Sequence, residues 1–76
     1  MHKTRENFVR LAQTRTNRLL KGMDILGNLS NRNNYLYDQE DIRKIFGSLK
    51  AKLKLVEGRF LTEQAKEKGL EFKLDE

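Results

Sequence analysis

Apolar residues recur along the first third of the chain at alternating steps of three and four. Val9, Ala12, Thr16, Leu19, Met23 and Leu26 follow in that rhythm, broadened by Phe8, Leu11 and Leu20. Such steps keep successive side chains on one side of an α-helix. The spacing therefore predicts a helix over about residues 4–26. Its middle, Gln13 to Arg18, is an unbroken polar run, and Thr16 within it falls on the stripe. A threonine in that setting returns its hydroxyl to a backbone carbonyl one turn back. Thr4 with Asn7 three residues on is a cap signal at the start. Gly27 and Asn28 predict the stop, with glycine in the left-handed conformation and Leu29 folding back onto the last turn.

A second rhythm begins after the connector. Ile42, Phe46, Leu49, Leu53, Val56 and Phe60 repeat at steps of four and three, with Ile45 and Leu61 alongside. This is a heptad-like seam, and it predicts a second helix over about residues 38–68. Asp38 fits the N-cap, Asp41 lies three residues on, and Glu40 and Asp41 put negative charge in the first turn, where the helix dipole favours it. Gly47 and Gly58 interrupt the helix, each costing about 1 kcal/mol relative to alanine. Gly69 predicts its end. The tail, residues 69–76, alternates apolar and charged side chains and is expected to be flexible.

Between the two lies a connector, residues 27–37, rich in asparagine. Asn side chains bond to nearby backbone and tolerate positive φ, so this stretch predicts turns. Tyr35 and Tyr37 flank Leu36 with the alternation of a short extended segment. At 1.5 Å per residue the helices span roughly 34 Å and 45 Å, and a short loop sets them antiparallel. The expected fold is all-α: an antiparallel two-helix hairpin in one domain, closing a four-helix bundle by dimerisation. The size of the chain supports the second half of that expectation. A single core in a chain this small rarely supplies more than about 3–5 kcal/mol. With 76 residues and no cysteine, neither a disulfide nor a cysteine-ligated zinc can act as a staple. A homodimer or a partner protein is then expected to cover the apolar stripes, with Phe46, Leu49, Leu53, Val56, Phe60 and Leu61 as the candidate interface.

Charge adds a second candidate. The chain carries +5 overall, with residues 1–54 at +7 and residues 55–76 at −2. Arg15 and Arg18 on the first helix, Arg32 in the connector, and Arg43, Lys44 and Lys50 on the second are the candidate nucleic-acid contacts. Phosphate contacts by Lys and Arg drive sequence-independent affinity for DNA and RNA. Against this, basic residues are ordinary on solvated helix faces. The hydrogen-bonding groups from Ser30 to Tyr35 divide the same way, between a contact surface and simple turn chemistry, and turn chemistry accounts for the asparagines.

Catalytic equipment is not expected. The single histidine, His2, cannot form a cluster. Asp38, Glu40 and Asp41 group together, but a helix start explains them. Neither a glycine-rich phosphate loop nor a nucleophile motif is visible. No cofactor or metal is expected. The chain has no apolar run long enough for a membrane span and no apolar segment near Met1 resembling a signal peptide. A cytoplasmic protein without membrane contact is the expectation.

The run Gly27-Asn-Leu-Ser-Asn-Arg-Asn-Asn-Tyr35, within the longer segment Leu20 to Phe46, resembles a segment of small bacterial proteins of plasmids, integrative elements and phages. The similar part extends from about residue 8 to residue 60. This resemblance implies an accessory role on a mobile element and transfers no reaction and no site residue. The expected function is that of a non-catalytic helical interaction module, self-associating or docking on a partner protein. The alternative is a small basic DNA- or RNA-associated protein.

Overall fold

A computed structural model describes residues 4–73; His2 and the last three residues of the tail lie outside the described residues. The protein is all-α, with two helices. α1 covers Arg5–Gly27, a single 3-10 turn covers Asn28–Ser30, and α2 covers Gln39–Lys73. The chain divides into two units between Leu36 and Tyr37.

α1 starts on extended backbone at Thr4, whose side chain makes no capping bond. The Phe8 amide donates to the Thr4 carbonyl (3.2 Å) and closes the first turn. The Arg5 guanidinium lies 5.7 Å from the centre of the Phe8 ring, within cation–π range. The polar middle stays helical. There it is Thr14 whose hydroxyl donates back to the Arg10 carbonyl (3.0 Å).

The end of α1 departs from the left-handed glycine stop. Gly27 has φ −61° and ψ −24°, ordinary helical backbone. No glycine among the described residues has positive φ. The helix instead tightens into the 3-10 turn. The Asn28 amide points at the carbonyls of Asp24, Ile25 and Leu26 together. Tightening is the other way to satisfy the last carbonyls of a helix, and it needs no special residue.

The connector is built by Asn31. Its side-chain oxygen accepts from the Asn33 amide (2.9 Å), and its carbonyl accepts from the amides of Asn34 (3.1 Å) and Tyr35 (3.0 Å). One asparagine thus turns the chain with its side chain and its backbone, the behaviour expected of an Asx turn.

α2 begins with a reciprocal cap. The Asp41 amide donates to Asp38 Oδ1 (2.9 Å), and the Asp38 amide donates to Asp41 Oδ2 (3.0 Å). This is a capping box built with aspartate at both positions, and it satisfies two amides that the helix geometry leaves unpaired. Replacing Asp38 with alanine is expected to cost about 1 kcal/mol, read as lost helicity in far-UV circular dichroism and a lower melting midpoint. Asp38→Asn, which keeps the accepting oxygen, is expected to lose much less.

The far end of α2 corrects the predicted boundary. Gly69 does not stop the helix, which runs through it to Lys73. Residues 69–73 of the expected flexible tail are therefore helical. Held in helical backbone, a glycine costs about 1 kcal/mol relative to alanine and lets the helix pass. Gly47 and Gly58 are crossed in the same way.

Candidate interaction surface

The seam of α2 is continuous. Turning by about 100° per residue, Ile42, Phe46, Leu49, Leu53, Val56 and Phe60 stay within about 40° of one line along the helix. Ile42 and Val56 are half-buried against their own helix, whereas Leu53 is 67% exposed and Phe60 59% exposed. Among the described residues no side chain is buried, apolar or polar. Glu63 and Glu67 occupy the next two seam positions, so a carboxylate pair closes the apolar line after Phe60.

Of the six interface candidates, five share that line and one does not. Leu61 follows Phe60 and is therefore rotated about 100° from the seam. It is exposed on another face, as is Leu55 at 66%. Ile45, half a face away from the seam axis, extends the apolar strip on one side. The stripe of α1 is weaker. Val9, Ala12 and Leu26 are half-buried, and Leu19 and Met23 are exposed.

The charged side chains frame the α2 seam. Arg43, Lys50 and Glu57 run along one flank and Lys52 and Arg59 along the other, while Lys44 lies on the far side. Arg43 pairs with Glu40, and Lys66 pairs with Glu63 at 3.2 Å. Lys52 and Glu57 are exposed, and neither makes an ion pair among the described residues. On α1, Arg15 borders the stripe and Arg18 stands almost opposite it. Arg32 sits in the turn of the connector. The six nucleic-acid candidates thus lie on both helices and the connector, and within α2 they fall on more than one face.

Two features escaped the pattern of the sequence. Leu36 is 99% exposed; a lone leucine in a loop has no period to announce it. The other is the placing of Lys52 and Glu57 on opposite flanks of the seam, which the helical spacing carried and a search for basic clusters passed over. Beside Gly58, Lys54, Leu55, Arg59 and Thr62 border a shallow depression open to solvent. Among the described residues no group of acidic or histidine side chains could hold a metal ion, and no helix is long and apolar enough to cross a membrane.

No protein-family profile, curated protein or solved structure matches the chain.

Proposed function

We propose that this protein is a non-catalytic helical interaction module whose apolar stripes are covered by association. In this reading α1 and α2 fold back as an antiparallel hairpin, and the hairpin meets a second hairpin in a four-helix bundle or docks on a partner protein. The observation that carries the proposal is the exposure of the stripe residues: Leu19, Met23, Phe46, Leu53 and Phe60 all stand open in a chain that has no buried side chain among its described residues. Leaving such side chains in water forfeits about 1.5–3 kcal/mol each, more than so small a chain can spare. An accessory role on a plasmid, integrative element or phage rests on the resemblance of residues 27–35.

Sedimentation at low micromolar concentration, run beside a thermal melt and an apolar-dye titration, tests the proposal. Association, or a monomer that binds the dye strongly, is expected. A compact monomer with a cooperative, concentration-independent melt and no dye binding would overturn it.

A second reading has its own observation. Arg43, Lys44, Lys50, Lys52 and Lys54 form a basic block on α2 with no acidic residue between Asp41 and Glu57. A small DNA- or RNA-associated protein would use it against phosphates. Duplex and single-stranded probes at about 50 mM salt, where counterion release favours such contacts most, decide this reading.

A further inference from the structure

We propose that α1 is a DNA-contacting helix: Arg10, Thr14, Asn17, Arg18 and Lys21, on the face opposite its apolar stripe, lie against the major groove of a B-form duplex. This rests on the reading of the chain as a nucleic-acid-associated protein. It adds the element that makes the contact and the kind of nucleic acid.

The face is set by the helical spacing. At about 100° per residue the five side chains stay within about 50° of the line directly opposite the stripe, and all are exposed. From Arg10 to Lys21 they extend about 16 Å along the helix. No acidic residue falls between Glu6 and Asp24. Those two stand beyond the ends of the face and about 70° to one side, and Leu11 borders it on the other. Arg10 donates to the neutral Asn7 side chain (3.2 Å), and Thr14 to the Arg10 carbonyl. Asn17, Arg18 and Lys21 make no hydrogen bond or ion pair among the described residues. No carboxylate therefore neutralises the three cations.

Such a face is complementary in charge to phosphate, and its amide and hydroxyl groups suit phosphate oxygens and base edges alike. A helix about 10–12 Å across enters a B-form major groove about 12 Å wide. The deep, narrow A-form groove of duplex RNA does not admit it. Single strands are gripped by aromatic stacking, and no aromatic side chain lies on this face, since Phe8 is on the stripe side. A lipid surface needs an apolar strip on the contacting face, and from Arg10 to Lys21 this face has none. α2 offers a competing line in Arg43, Lys50 and Lys54. There Arg43 is held by Glu40, and Glu57 stands within about 40° of the line. Gly47 and Ala51 put no polar side chain beside it.

Fluorescence anisotropy with a labelled DNA duplex of about 20 base pairs, at about 50 and 200 mM salt, tests the proposal. Three phosphate contacts give a salt slope of at least about 2.7, so affinity is expected to fall at least roughly fortyfold between the two salts. The triple variant Arg10→Gln, Arg18→Gln, Lys21→Gln is expected to lose at least about a hundredfold at the lower salt and to flatten the slope by about 2.7. Far-UV circular dichroism checks that it stays helical. Arg18→Gln alone, expected to lose about tenfold and about 0.9 of slope, carries the test should the triple variant lose helicity. Arg43→Gln, Lys50→Gln, Lys54→Gln together remove the same charge from α2 and are expected to lose less than about tenfold. The proposal is overturned if the α1 variant loses no more than the α2 variant. It is also overturned if an RNA duplex or a DNA single strand of the same sequence binds as tightly as the DNA duplex. Either result leaves the nucleic-acid reading standing. Polyglutamate that displaces the duplex as readily as unlabelled duplex does would overturn it in favour of an acidic protein surface. If no nucleic acid binds at about 50 mM salt, this proposal and the nucleic-acid reading fall together.

Discussion

If the proposed self-association through the α2 seam holds, Leu53→Asp is expected to raise its dissociation constant by at least about a hundredfold and to leave a largely monomeric chain at 10 μM or so. Leu53 is central to the seam and two-thirds exposed in the single chain. Burying one leucine contributes about 1.5–3 kcal/mol, and each copy in a symmetric pair loses that contribution. The aspartate adds the cost of placing a carboxylate between apolar neighbours such as Leu49, Val56 and Phe60. A loss of about 3 kcal/mol already corresponds to a factor of roughly a hundred. Sedimentation equilibrium across about 1–100 μM measures the change. The control is Leu55→Asp. Leu55 is equally exposed but rotated about 140° from the seam, so this substitution is expected to alter association by no more than about twofold. Equal losses from both variants would show that the interface is not the seam.

The second large effect runs toward greater stability. Gly47→Ala combined with Gly58→Ala is expected to stabilise the folded state by about 2 kcal/mol, roughly 1 kcal/mol for each glycine removed from a helix interior. Neither glycine has a positive φ. A Cβ built on either meets no atom within 4 Å beyond the local helix backbone. The two positions lie about 16 Å apart along α2, so their effects should add. In a chain of this size the melting midpoint should rise by roughly 8–16 °C. Both glycines lie off the seam, so the affinity between copies is expected to stay nearly constant. A fall in stability or affinity would place another chain's backbone against these glycines and move the interface to that face of α2.

The two helices were legible because their signals are local and repeated. The alternating steps from Val9 to Leu26 and from Ile42 to Phe60 each define a face without reference to the rest of the chain. The cap at Asp38 was legible for the same reason. Its partner Asp41 is three residues away, and the two amides they satisfy belong to the same turn.

The end of α1 was legible to within a residue, though not how the helix stops there, and the end of α2 was not legible; a glycine lies at both predicted ends. At Gly27 and Gly69 the sequence permits a left-handed stop or helical continuation, because glycine takes up both conformations with little difference in cost. At Gly27 the choice falls to Asn28, whose amide engages the last carbonyls of α1 through a 3-10 turn. The candidate site was legible in part. Five of the six apolar candidates share one line, whereas Leu61, which follows Phe60 directly, is turned about 100° from it.

From the order of its residues alone, this protein is committed to two helices, to an asparagine-built connector between them, and to an apolar stripe along each helix, because periodicity and turn chemistry act within a few residues. The folded structure decided where α1 tightens and how far α2 runs, and it left Leu19, Met23, Phe46, Leu53 and Phe60 open to solvent. Burial depends on which atoms share a neighbourhood in space, and no local pattern encodes that.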